Sequence, residues 1–422
     1  MKKIKSILII GIFLVFLVGC SIDEEISSTS HDNTVIDNTY SIQENKSFEI
    51  KMAQERMSID EYKEQYKIDI EELISNNNYK IDFKECDIKP LTDFDKVGIY
   101  QLKTKFINAD ESIDIINKWL KTIGCDDLDI EKELRDASGQ YESVEANYPY
   151  DYPAVYEYYP EFNTGSGFFI NTNQCYIQMG NNGIYSMSDG SITRALSLDS
   201  LSAMDALGIN SQIIVNSGMS PDEVTQRWKI TDGEMSVCDA CKMVKQYFMK
   251  GTPGPVPNGI TIDIPEYKVF SINDLYGYAF SIRRKYNNVP FAYATTGSRI
   301  YYNNEYEILE DIKTAYMIEH DKVAAFTGYN EAEELEPLIN EQNNILSIND
   351  AVLILDDFLA GNVKIKANRL EFVYCICVYD DGNKIAYPCW DIDGINCTNN
   401  NKIRMYVNAL SGDIYYYSYS ED

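Results

Sequence analysis

The feature that most constrains the fold is a helix signal followed by strand signals, which occurs three times along the chain. The copies begin at Asn108, Ser236 and Ser347, and the second and third share the pattern Ser-x-x-Asp-Ala. A capping residue with a carboxylate three positions later is typical of a helix start. We interpret the recurrence as a degenerate internal repeat.

The elements within each copy predict the fold class. In the third copy Val352, Leu355, Phe358 and Leu359 recur at helical spacing, and the following run, 370–379, is apolar on both faces, as in a central strand. In the second copy strand runs at 267–272 and 276–284 precede an Asn287-Asn288 turn. The sequence therefore predicts an α+β fold of repeated units, each a helix packed on an antiparallel β-meander.

Two domains are predicted from this pattern. Residues 47–200 are predicted to form an N-terminal α+β domain, with a helix over 59–75 and a hairpin over 167–188. Residues 220–422 are predicted to form a C-terminal α+β domain of two units, about 234–310 and 346–418.

The first twenty residues have the layout of an export signal. Lys2, Lys3 and Lys5 precede an apolar run that is too short to span a bilayer comfortably and ends at Gly19-Cys20. A small residue directly before cysteine resembles the lipobox of bacterial lipoproteins. That resemblance implies a signal peptide over 1–19, fatty chains on Cys20, and a protein anchored to the bilayer on the outer side of the cell membrane. A simple cleaved signal, or an uncleaved helix, would also export the chain.

Residues 20–46 are rich in Ser, Thr, Asn and Asp, which predicts a flexible tether. The formal net charge of the chain is −29, and loss of the signal lysines makes the mature form more acidic still. This charge disfavours nucleic acid as a partner and favours cationic peptides, metal ions or basic wall components. Acidity that serves only solubility is the alternative.

Histidine is nearly absent: His31 lies in the tether, which leaves His320 for any nucleophile that needs an imidazole. No cofactor and no metal site are expected, although carboxylate catalysis stays open. Asp391, Asp393 and Asn396 gather oxygen atoms, but the spacing lacks the glycine and bidentate acid of a calcium loop.

Cysteine could serve several purposes. Cys238 and Cys241 form a CxxC at a helix start, where a reactive thiol pair, a disulfide or core packing are all consistent with the spacing. Cys389 and Cys397 flank Trp390 and could bridge a loop.

The densest aromatic stretch is the candidate ligand-binding segment. Tyrosine rings combine a flat apolar face with a polar tip, which suits stacking on sugars or clamping an extended peptide. The alternative is that these rings cover the flank of a sheet. The tyrosines concerned are Tyr148, Tyr150, Tyr152, Tyr156 and Tyr158.

The last unit resembles a known family. The run from Met405 to Ile414, with Ser411-Gly412-Asp413 as its turn, resembles the closing hairpin of PepSY-like domains. Together with Pro388-Cys389-Trp390 and the helix after Ser347, it is similar to the C-terminal part of the YycH/YycI family of extracytoplasmic regulators. The resemblance implies a fold and an accessory role, and transfers no catalytic or binding residue.

These observations lead us to expect a non-enzymatic, membrane-anchored lipoprotein that binds an unidentified membrane or surface protein, or a peptide. A cell-wall or carbohydrate-binding lipoprotein, with a carboxylate-based hydrolase activity as an extension, is the alternative.

Overall fold

The structure is a computed structural model of the chain. It describes residues 53, 56–104, 109–122, 154–156, 167–171, 175–180, 183–189, 211–216, 223–249, 258–272, 275–293, 299–302, 306–310, 313–317, 323, 325–331, 333–361, 363–380 and 382–419. Within these ranges no helix has both the length and the apolar character needed to cross a membrane.

Four helices lie in the described ranges: α1 (Ile59–Ser75), α2 (Ala109–Thr122), α3 (Val237–Met249) and α4 (Ile348–Phe358). Two of them begin with reciprocal side-chain capping. Ser58 Oγ accepts from the backbone N–H of Glu61 and donates to the Glu61 carboxylate at 2.6 Å. Ser347 does the same with Asp350, again at 2.6 Å. Such caps satisfy orphan N–H groups, which explains why these helices begin where the sequence predicts.

Strands make up most of the remaining described structure. In chain order they are β1 (Met57–Ser58), β2 (Ile81–Asp82), β3 (Asp87–Ile88), β4 (Tyr100–Thr104), β5 (Ala154–Tyr156), β6 (Gly167–Asn171), β7 (Cys175–Gly180), β8 (Gly183–Asp189), β9 (Ser211–Asn216), β10 (Arg227–Ile230), β11 (Gly233–Ser236), β12 (Ile260–Ile272), β13 (Leu275–Tyr286), β14 (Val289–Pro290), β15 (Arg299–Tyr302), β16 (Glu307–Glu310), β17 (Lys313–Met317), β18 (Ala325–Glu331), β19 (Glu333–Pro337), β20 (Asn344–Ile345), β21 (Ile365–Val378), β22 (Lys384–Asn396), β23 (Lys402–Asn408) and β24 (Ile414–Tyr419).

Two large sheets organise these strands. Sheet I has the order β5-β6-β7-β8-β18-β17-β13-β12-β9, with β14 beside β13. Sheet II has the order β15-β16-β21-β22-β23-β24, with β4 and β19 added on β22 and with β2 and β3 lying parallel to β21. Helices packed on largely antiparallel sheets confirm the predicted α+β class.

Each sheet combines strands from both predicted domains. β8, from the N-terminal segment, pairs with β18, and β4 pairs with both β19 and β22. These partners are far apart in the sequence, so local spacing carries no information about them.

Each sheet also has a core of its own. α3 packs on β12 and β13 of sheet I, where Val244, Tyr278 and Phe280 are buried. α1 and α4 cover one face of sheet II. Trp390 is fully buried there, and its indole N–H donates to the Leu346 carbonyl oxygen at 3.0 Å.

The hairpin of β12 and β13 connects the two cores. Ile282 of β13 belongs to the core of sheet I, whereas Tyr286, at the end of the same strand, packs against the core of sheet II. Asn287 and Asn288 then turn the chain with φ angles of 47° and 66°. Asparagine tolerates this left-handed region better than most residues, so the predicted turn is confirmed.

Candidate functional site

The two faces of sheet II carry different chemistry. Side chains alternate along each strand, and directly paired residues of antiparallel strands share a face. On the helix face, Phe372 lies beside Trp390. On the opposite face, which we call the charged face, β21 to β23 place a set of ionisable side chains: Arg369, Glu371, Cys375, Cys377, Cys389, Asp391, Asp393 and Arg404.

Asp391 is the centre of the charged face. Its carboxylate is fully buried and accepts from Arg404 Nε at 2.9 Å and from an Arg404 terminal nitrogen at 2.6 Å. Arg369 donates to the same carboxylate at 3.1 Å. Arg404 also donates to the Tyr293 carbonyl oxygen at 2.8 Å. Asp391 is therefore committed to two arginines, which rules out the calcium role considered from the sequence.

A second ion pair joins the two sheets. Arg283 of β13 donates to both oxygens of Glu371 on β21, at 2.8 and 2.6 Å, and its Nε donates to Asp263 on β12 at 2.8 Å. The guanidinium carbons of Arg283 and Arg369 lie 5.0 and 4.6 Å from the centre of the Tyr293 ring. Bidentate, desolvated pairs of this kind fix geometry strongly, so the cluster sets how sheet I meets sheet II.

The arginines control how the buried acids titrate. Burial alone would raise the pKa of Asp391, but Arg404 and Arg369 together hold that pKa below its ordinary value. The pKa of Asp263 is likewise low: burial raises it, but Arg283, Lys285 and Lys245 together lower it further. Asp393 lies opposite both Arg369 and Arg404, yet burial dominates there and raises its pKa.

Three fully buried thiols continue the charged face. The Cys375 sulfur forms hydrogen bonds with the thiols of Cys377 and Cys389. Burial raises the pKa of Cys377 and of Cys389, so both stay protonated. All three are free cysteines. Across the described ranges no group of three His, Cys, Asp or Glu side chains is arranged to hold a metal ion.

An exposed aromatic pair lies on the other side of sheet II, at α4 and β24. Phe358, at the end of α4, contacts Tyr416 of β24 edge to face, with ring centres 5.2 Å apart. Both rings stay substantially exposed, at 46% for Phe358 and 37% for Tyr416. We call these two residues the apolar patch. Asp357 and Asp413 are exposed, and each precedes one of the two rings in the sequence.

The sequence-predicted site residues are mostly outside the described part of the chain. Cys20, Tyr148, Tyr150, Tyr152 and Tyr158 all lie outside it, as does His320. Tyr156 ends β5, and its side chain is not among those described. The candidate ligand-binding segment therefore stays a prediction.

The cysteine predictions fall within the described residues. Cys238 and Cys241 are buried free thiols on α3, and Cys241 belongs to the core of sheet I. No disulfide joins them. Cys389 is buried and Cys397 exposed, and both are free, so the suggested loop bridge between them is wrong. Cys389 lies in the middle of β22 and Cys397 directly follows the strand, so extended backbone keeps them apart.

The charged cluster was missed in the sequence, although a signal existed. Arg369, Glu371, Asp391 and Arg404 occur within stretches whose other residues predict buried strands. Charges at alternate positions of such strands indicate either a solvated face or a buried ionic network, and only the pairing of the strands distinguishes the two.

Comparisons with known proteins identify no family for this chain. No family model matches it, and no curated protein matches it. Among solved structures, an uncharacterized protein from Eubacterium rectale ATCC 33656 is 12% identical, with a TM-score of 0.47, over 83% of this chain and 98% of that one. The Bacillus megaterium YpeB C-terminal domain is also 12% identical, with a TM-score of 0.24, over 70% of this chain and 99% of that domain.

Proposed function

We propose that this chain is a non-enzymatic lipoprotein, anchored to the outer side of the cell membrane through Cys20, which binds a partner protein or peptide. The export signal ending at Cys20 supports the anchor. The exposed aromatic pair Phe358 and Tyr416 supports binding at the apolar patch.

The apolar patch is the observation that carries the proposal. Aromatic side chains lose little conformational freedom on binding and contribute disproportionately to protein interfaces. Phe358 and Tyr416 come from different elements and already contact each other, so they present a preformed surface. A preformed surface lowers the entropic cost of association.

We further propose that the C-terminal half contains two PepSY-like units. Within the predicted unit, about 234–310, α3 is followed by β12 and β13, whereas β15 and β16 belong to sheet II. β17 and β18, beyond residue 310, continue the order β12-β13-β17-β18 in sheet I. α4 is followed by β21, β22, β23 and β24, which neighbour one another in that order in sheet II. The shared order of helix and meander supports a duplication.

The binding proposal can be tested by photocrosslinking in bacterial cells that produce the full chain. A photoreactive phenylalanine analogue replaces Phe358, and a matched control carries it at Ile68, an apolar position on α1 that is 56% exposed. We expect one partner to be crosslinked from position 358 and not from position 68. That partner, once purified, should bind the full chain at least tenfold more weakly after Tyr416→Asp. Equal crosslinking at both positions, or none at 358, would reject the patch as the binding site.

The anchor is tested independently by mass spectrometry of the protein taken from membranes. We expect a diacylglyceryl mass on Cys20 and release of the Cys20→Ser variant from the membrane fraction. An unmodified Cys20 thiol in the membrane-bound protein would reject lipid anchoring.

A further inference from the structure

Strand β24 forms an edge of sheet II. One side of it pairs with β23 through six consecutive residue pairs, from Lys402 with Tyr419 to Val407 with Ile414. On its other side, no strand among the described residues is paired with it. Backbone N–H and C=O groups along such an edge are a template for another extended chain.

The devices that usually block such an edge are missing from β24. Its sequence, Ile-Tyr-Tyr-Tyr-Ser-Tyr, contains no charged residue, no proline and no glycine. Its register with β23 is continuous, without a bulge. Natural sheets protect exposed edges with charges, prolines or bulges, so an unprotected aromatic edge is suited to pairing.

The apolar patch adjoins this edge. Tyr416 lies in the middle of β24 and points to the side of the sheet on which α4 packs, where it meets Phe358. A strand added to β24 would place alternate side chains on that same side. The patch would then contact the side chains of the added strand, while β24 would form hydrogen bonds with the backbone of that strand.

Charge selects among the strands that could pair there. Asp413 precedes β24, Asp357 precedes Phe358, and both are exposed. The whole chain carries a formal net charge of −29, so a second copy of it would be repelled. A cationic segment would instead be attracted.

Resting on the proposed function, we infer that the partner contributes an extended segment rich in lysine or arginine, which adds to sheet II as a strand beside β24. Backbone hydrogen bonds supply affinity, and Phe358 and Tyr416 select apolar side chains at alternate positions.

The inference is tested with three synthetic octapeptides and the full chain in detergent micelles. The first alternates lysine and valine, the second replaces lysine with glutamate, and the third keeps the first sequence but carries N-methyl groups at alternate backbone nitrogens. Binding is followed by fluorescence anisotropy, and hydrogen exchange is measured over residues 414–419.

We expect the lysine peptide to bind and to slow exchange at 414–419, and the other two to bind at least tenfold more weakly. Tyr416→Lys should weaken binding of the lysine peptide at least tenfold, whereas Ile68→Lys should leave that binding unchanged. If Tyr416→Lys lowers the unfolding midpoint, Phe358→Thr serves as the second variant.

Equal binding of the N-methylated peptide, or no protection of 414–419 from hydrogen exchange, would overturn strand addition. Crosslinking from position 358 would in that case still uphold partner binding, whereas failure of both experiments would reject both.

Discussion

The two faces of sheet II both bury large side chains but are stabilised in different ways. The helix face is apolar, and Trp390, Phe372 and Tyr62 pack there with ring centres 4.8 to 5.8 Å apart. The charged face buries Arg369, Asp391 and Arg404 between strands of the same sheet. Apolar side chains are stabilised wherever their shapes fit together, whereas a buried charge is stabilised only when its charged partner is correctly placed. The charged face is therefore the one that fixes a single arrangement.

The comparison is tested most severely by Asp391→Ala. This change leaves Arg369 and Arg404 buried without their shared carboxylate, and we expect a loss of about 3–5 kcal/mol in the free energy of unfolding. Urea denaturation measures it. Asp357→Ala, on the exposed side of α4, is the matched control and should change stability by less than about 0.5 kcal/mol. A small effect at Asp391 would mean that the charged face does not stabilise the fold.

The contact between the sheets is tested by Arg283→Met. Glu371 would be left buried without its bidentate partner, and we expect a loss of about 3 kcal/mol. Adding Glu371→Leu should restore part of that loss, because the unpaired charge is removed as well. The double-mutant cycle, measured by urea denaturation, gives the coupling between the two sites. Strict additivity of the two changes would contradict a direct pair.

On the helix face, Trp390→Phe should cost about 2 kcal/mol, since it removes part of a buried ring and the hydrogen bond to Leu346. Thermal or urea unfolding measures the change. The apolar face can relax around a smaller ring, so we expect a smaller effect than at Asp391. A larger loss here would reverse the ranking of the two faces.

The smallest effect is a change in pH dependence. Because the folded-state pKa of Asp391 is lowered, its contribution is present above the unfolded pKa of about 3.9 and is lost as pH falls through the folded value. Stability measured from pH 7 down to pH 2 should therefore fall less steeply in Asp391→Asn. Asp393, whose pKa is raised, contributes in the opposite sense, and Asp393→Asn should steepen the fall. Identical slopes in both variants would refute the assignment.

Local elements of the fold could be predicted from the sequence. Ser347 with Asp350 predicted the start of α4, because capping depends on neighbouring residues alone. The helix predicted over 59–75 is α1. The apolar run 370–379 correctly indicated the central strand β21.

The arrangement of the sheets could not be predicted in the same way. Pairing of β8 with β18, or of β4 with β22, joins residues more than one hundred positions apart, and many such pairings satisfy the same local pattern. The candidate sites depend on this arrangement. Arg283 meets Glu371, and Phe358 meets Tyr416, only after the sheets have formed.

The hairpin of β12 and β13 has a mechanical consequence. Ile282 is buried in the core of sheet I, whereas Tyr286 packs against the core of sheet II. Arg283, which lies between them, donates a hydrogen bond to Glu371 of sheet II. A force applied to either sheet is therefore transmitted through the backbone of β13 to the other sheet. The two sheets are thus mechanically connected in series.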